Sequence, residues 1–170
     1  QDMAEEEHDH HGHDHGHTDP HAWHNPQNVK LYVNNIRAAL TQADPAGKDY
    51  YSQRASQYSQ QLDALDADAR QRFAAIPASQ RKVLTSHDAF GYLAQRYQIR
   101  FLSPQGISTD AEASAKTVAK LVRQVKAEKI RAVFVENMSD KRLLEQLSRE
   151  AGVHVGGKLY ADALSPANGP

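Results

Sequence analysis

Apolar positions divide the chain into three stretches of different rhythm. Residues 1–18 (QDMAEEEHDHHGHDHGHT) hold no large apolar residue apart from Met3. Such a stretch buries too little surface to offset its ordering entropy, so it reads as a flexible, disordered loop or arm. Over residues 26–43, Val29, Val33, Ile36 and Leu40 recur at helical spacing, with Leu31 and Tyr32 off that stripe. Pro26 suits a first helical turn and Asp44-Pro45 a stop. Over residues 45–76 one stripe runs through Tyr51, Ala55, Tyr58, Leu62, Leu65, Ala69, Phe73 and Ile76, flanked by Gln, Ser, Asp and Arg. This predicts a single helix spanning roughly 45–50 Å at 1.5 Å per residue. A helix of that length is a bundle member or a spine between two lobes, and Pro77 ends it.

From residue 81 the pattern alternates. Strands are predicted at 82–85 (KVLT), 99–102, 132–135 (AVFV) and 153–155. Helices are predicted at 89–97, at 114–127 on Val118, Leu121, Val122 and Val125, and at 140–151 on Leu143, Leu144 and Leu147. Strand–helix alternation argues for a parallel sheet with right-handed crossovers. The expected fold class is therefore α/β: a parallel-sheet lobe with flanking helices over 77–170, preceded by the spine helix at 45–76. Ligands of such sheets gather at the carboxyl ends of the strands.

Composition narrows the chemistry. The 170 residues are enough for one domain with a core. The formal net charge of -1 leaves no basic excess to grip nucleic acid, and no apolar run approaches the length of a membrane-spanning helix. Without cysteine there is no disulfide and no thiolate zinc site, so a transition-metal site must use His with Asp or Glu. The opening Gln1-Asp2-Met3-Ala4 has neither the positive n-region nor the apolar h-region of a signal peptide. A mature or truncated exported chain would begin so, as would a cytosolic one.

Histidine then changes the picture. Eight of the ten histidines fall within the first 24 residues, and neutral imidazole is the commonest protein metal ligand. His8, His10, His11, His13, His15 and His17 alternate with Asp and Gly, which suits low-specificity metal capture better than the unbroken run of a purification tag. His21 and His24 are three apart, but Pro20 and Pro26 bracket them, so a loop is expected, with Trp23 packed beneath it. His21 is the stronger ligand candidate and His24 a possible extra one. His87 directly follows the first strand, where Ser86 or Asp88 is placed to cap the next helix or to orient the imidazole. Asp162 lies just past the last predicted strand. Glu136 ends the AVFV strand at the same edge, as an extra ligand or an orienting group. His154, flanked by Val153 and Val155, reads as a strand residue facing away from them. Glu112 reads as part of a capped helix start.

Taken in order, DPHAW, SHDAFGYLAQRY, VFVEN and LYADAL resemble the zinc/manganese-type solute-binding proteins of bacterial ABC transporters. The acidic histidine-rich tract before DPHAW is similar to the mobile loop of the zinc-binding branch. The resemblance covers about residues 8 to 165. It implies two α/β lobes joined by one rigid helix, with the ion between them. Residues 1–18 would be the loop, 19–44 the end of the N-terminal lobe, 45–76 the linking helix and 77–170 the C-terminal lobe. It implies His21, His87 and Asp162 as ligands, with a fourth from an N-terminal lobe that this chain largely lacks. Histidine at position 87, where manganese members often carry Glu, favours zinc over manganese. The implied function is capture of periplasmic zinc for the membrane permease of an ABC importer, with a periplasmic metallochaperone as a further candidate partner. A spine without its first lobe would expose its apolar stripe, which predicts dimerisation or domain swapping. Two other functions stay open: a zinc-dependent hydrolase, against which stands the absence of an HExxH helix, and a metal-buffering or chaperone module acting through the tract.

Overall fold

A computed structural model describes residues 18–107 and 113–169. Its first half is a helical hairpin. The Asn25 side chain accepts a hydrogen bond from the Gln27 N–H and Pro26 opens the first turn, so α1 runs Pro26–Ala43, the bounds that the periodicity predicts. The predicted spine divides at its start. A short 3₁₀ turn spans Pro45–Gly47, and α2 then runs Lys48–Ala74, 27 residues, about 40 Å long. Gly47 leaves room at the bend for the Tyr51 ring and Asp44 Oδ2, which a Cβ there would meet at 2.6 and 2.7 Å unless those side chains moved. Ion pairing of Lys30 with Asp63, and Gln27 donating to Asp63 and Asp66, hold α1 and α2 antiparallel.

The apolar stripes of this hairpin are only partly covered. Leu62 is buried, whereas Ile36, Leu40, Tyr58 and Leu65 are exposed. Spacing identifies a stripe but not what lies against it, and here the described residues place nothing over most of it.

The second half is the α/β lobe. Strands β1 (Lys82–Leu84), β2 (Arg100–Leu102) and β3 (Ala132–Val133) form a parallel sheet in the order β2-β1-β3. Val83 pairs with Phe101 on one side and Ala132 on the other. The predicted AVFV strand is broken: β4 (Val135–Glu136) leaves the sheet and pairs in parallel with β5 (Lys158–Leu159) instead. Helices α3 (Gly91–Tyr97), α4 (Ala115–Ala127) and α5 (Lys141–Ala151) make the crossovers. Ser114 caps α4 and Asp140 caps α5. Leu84, Val118, Leu121, Val125, Val133, Leu144 and Leu147 form the main core between sheet and helices. No described helix is long and apolar enough to cross a membrane.

One predicted strand is absent. Residues 153–155 follow the left-handed Gly152 cap of α5 (φ 72°) and pair with no strand; Val153 N–H instead donates back to Ser148 O at 3.0 Å. Val153 and Val155 pack on the core while His154 is exposed. The alternation thus reads the side chains correctly, but the backbone makes its contact one residue later, where Gly156 N–H donates to Val133 O at 2.7 Å. A Cβ on Gly156 would lie 3.2 Å from that carbonyl oxygen.

Candidate metal centre

Three loops meet above the carboxyl ends of the strands. The first follows β1. Thr85 N–H extends the pairing to Leu102 O at 2.9 Å, which aims Ser86 and His87 over the sheet edge. Glu136, the last residue of β4, fixes this loop: its Oε1 accepts from the backbone N–H of Ser86 (2.7 Å) and of His87 (3.0 Å). Its other oxygen pairs with His87 Nδ1. The second loop precedes α1. Asp19 Oδ1 accepts from the His21 backbone N–H at 3.0 Å and lies 2.6 Å from its Nδ1. The third follows β5 and carries Asp162, held near a small cluster of Ala89, Phe90 and Ala161.

The two imidazoles therefore share one construction. Each has a carboxylate behind Nδ1, which holds the proton there and leaves Nε2 free to bind. His21 Nε2 lies 3.0 Å from Asp162 Oδ1, and His87 Nε2 lies 3.3 Å from Asp162 Oδ2. Donor atoms of His21, His87 and Asp162 all fall within 4.8 Å of one another. Donors held at 2.0–2.1 Å around a tetrahedral ion sit about 3.3–3.4 Å apart. The spacing at Asp162 is thus close to that of a loaded site and needs only a small opening to admit an ion. Both histidines are buried, whereas the Asp162 side chain is 39% exposed. The set is open on that side, and three donors leave a tetrahedral ion one position short.

Electrostatics distinguish the histidines. The hydrogen bond that His87 donates to Glu136 raises its pKa above 6.5 against the opposing effect of burial, with Asp162 and Asp88 adding to the rise. Burial lowers that of His24, only partly offset by the Ala89 carbonyl.

The remaining sequence candidates lie elsewhere. His24 is not brought into the cluster: its Nδ1 is 2.8 Å from Ala89 O and its ring stacks on Phe90. Glu136 stands behind His87 rather than beside Asp162. Trp23 does not pack beneath its loop but is 40% exposed, with its indole N–H donating to Ala161 O. His8, His10, His11, His13, His15, His17 and Glu112 lie outside the described residues. Asp19 is the one site residue that the sequence reading did not single out. Its signal is a carboxylate two residues before a candidate ligand, a spacing that lets one oxygen reach both backbone and ring.

Glu136→Gln tests the shared construction. A glutamine keeps one acceptor for the two backbone N–H groups but puts an amide NH₂ against Nδ1, which favours the tautomer with its proton on Nε2. Zinc affinity in a chelator competition is expected to fall by about 10–100-fold, the usual cost of losing an orienting partner.

Relatives carry the same arrangement of sequence and fold. The sequence model of the family described as zinc-uptake complex component A, periplasmic (ZnuA), matches residues 1–170. The chain is 37% identical over 155 residues to the iron-binding protein YfeA of Yersinia pestis, covering 91% of this chain and 50% of that protein. It is 30% identical over 150 residues to the manganese ABC transporter substrate-binding lipoprotein PsaA of Streptococcus pneumoniae, covering 88% and 48% respectively. The structure of the periplasmic zinc-binding protein TroA from Treponema pallidum superposes with a TM-score of 0.85 at 33% identity, over 89% of this chain and 56% of that one. The chain spans about half the length of these relatives. With the family's sequence signature running from end to end and its parallel-sheet fold in place, this chain belongs to the ZnuA family of metal-binding periplasmic proteins of ABC transporters.

Proposed function

We propose that this chain supplies three donors, one from the end of the first lobe and two from the second, to a site that captures a divalent transition metal, zinc in preference to manganese, outside the cytoplasmic membrane. His21, His87 and Asp162 are the ligands, and the ion is cargo for the membrane permease of an ABC importer. The observation that carries this reading is the convergence of two carboxylate-backed Nε2 atoms on one aspartate. Two imidazole nitrogens and one carboxylate suit zinc, whereas manganese prefers a more oxygen-rich set. Manganese and iron remain the competing cargoes, because relatives are named for them. A fourth donor comes from outside this set, and the histidine tract at 8–17 raises the local ion concentration. The exposed faces of α1 and α2 support association with a covering body, a second copy in the isolated chain. The hydrolase reading gives way because the relatives described above are named as binding proteins.

Zinc titration against a competing chelator, repeated with manganese present and across pH, tests the proposal. Zinc is expected to bind at one tight site that equimolar manganese does not empty. In its charged form, which Glu136 makes more favourable than in a free histidine, the His87 imidazole also carries a proton on Nε2 that the ion must displace. Affinity is therefore expected to fall as pH drops through the raised His87 pKa, beginning above 6.5. Manganese displacing zinc would reverse the assignment of cargo, and a flat profile from pH 8 to 5 would count against His87 as a ligand.

A further inference from the structure

The 3₁₀ turn Ala22–His24 presents two ring N–H groups from consecutive residues. Each reaches the backbone of a different ligand-bearing loop. Trp23 Nε1 donates to Ala161 O at 3.0 Å, one residue before Asp162. His24 Nδ1 lies 2.8 Å from Ala89 O, two residues after His87. A carbonyl only accepts, so His24 carries its proton on Nδ1. Both carbonyls belong to residues of the small cluster beneath the site, where Ala89 is fully buried and Ala161 nearly so. The His24 ring stacks on Phe90 at 4.8 Å, and Phe90 stacks on Phe101 of β2 at 5.0 Å. The loop that bears His21 is thus fastened to both of the other loops through two adjacent side chains.

We propose that Trp23 and His24 form a clip whose indole and imidazole N–H groups hold the Asp162 and His87 loops against the His21 loop, setting the spacing of the three donors before an ion arrives. The proposal rests on the metal-binding reading above. Within it His24 is a positioning residue and not a ligand. The clip spans a gap that chain connectivity leaves wide, because Trp23 is 138 residues from Ala161 and His24 is 65 from Ala89. Without it the His21 loop keeps only the contact of Tyr92 Oη with Asp19 O to the elements that carry the other two donors, and each ion bound must first pay more of their ordering entropy.

Two substitutions in the full chain separate the donor from the ring. His24→Asn keeps an N–H near the Nδ1 position but removes the aromatic stack and leaves no imidazole to ligate. His24→Phe keeps the stack and removes the donor. Zinc affinity is read by chelator competition, and the state of the clip by emission from Trp23, the only tryptophan. His24→Phe is expected to weaken zinc by about tenfold, within the range for orienting partners, and to shift metal-free Trp23 emission to longer wavelength. His24→Asn is expected to stay close to the unaltered chain in both readouts. Equal losses in both variants would make His24 a ligand, and a loss confined to His24→Asn would make the stack decisive. Either result overturns the proposal, as does unchanged zinc affinity in His24→Phe. Should His87→Ala leave zinc binding untouched, the metal-site reading itself fails. Metal-free Trp23 emission then decides the clip, and an unshifted His24→Phe spectrum refutes it.

Discussion

Tight zinc binding is expected to disappear from the His87→Ala chain. The loss should exceed about a hundredfold in a chelator competition, beyond the range for partners that only orient a ligand. The substitution removes one of three donors from a set that is already one short of tetrahedral. It should leave the fold standing. Glu136 loses the imidazole but keeps its hydrogen bonds from the backbone N–H groups of residues 86 and 87, so its buried carboxylate is not orphaned. Deleting residues 8–17 provides the opposite contrast: weak zinc equivalents should vanish while the tight one remains. If the deletion removes all binding and His87→Ala removes none, the tract is the metal binder and the proposed ligand set is wrong.

Asp66→Ala is expected to cost the most stability of any single polar change in the described residues. Asp66 is 5% exposed in the middle of α2, where Leu62 is the other buried residue. Arg96 grips both its oxygens, Tyr97 Oη donates to Oδ1 at 3.0 Å, and Gln27 reaches Oδ2 at 3.4 Å. The network fastens the hairpin that leads from His21 to α3, the helix that follows His87. Removing the carboxylate strands a guanidinium and a phenol. Because Arg96 is 22% exposed, water relieves part of the penalty, and about 2–3 kcal/mol is expected, below the range for fully buried pairs.

The same network shapes the pH dependence of stability. Arg96 holds the Asp66 carboxyl below its ordinary 3.8. That contribution is present above 3.8 and is lost as pH falls through the lower folded value. Burial, with help from Asp66, pushes Tyr97 up to about 12 from 10.0. Its contribution is present below 10 and is lost as pH rises through about 12. Urea unfolding across pH should therefore show Asp66→Ala losing stability at neutral pH, with the loss shrinking as pH falls below 3.8, while the alkaline limb, set mainly by burial of Tyr97, largely persists. A uniform offset at every pH would mean that the network adds packing only.

Some of this was written locally. The bounds of α1 follow from apolar spacing, a proline at the first turn and Asp44-Pro45, all features of adjacent residues. Strand–helix alternation specifies a parallel sheet and puts His87 at its carboxyl edge, whereas Asp162, expected past a strand at 153–155, follows β5, a strand the alternation does not predict. That reasoning, with the family resemblance, sufficed to nominate His87, Asp162 and His21, which the fold brings within 4.8 Å. Other features depended on approach between distant segments. AVFV reads as one strand, but Val135 and Glu136 turn away to pair with Lys158 and Leu159, a partner invisible from a four-residue run.

The chain's own order of residues determined the period of its helices, the punctuation between elements, the absence of thiolate ligands and the place of each candidate donor along the sheet edge. These are local properties, set by backbone sterics, hydrogen-bonding capacity and side-chain chemistry. Only the tertiary structure decided what each donor faces. It put Glu136 behind His87 across 49 residues of chain, kept His24 out of the donor set, and left the stripes of α1 and α2 largely uncovered. Contacts of that kind form when separate elements pack. Their identity depends on angles and distances in three dimensions that no spacing along one chain encodes.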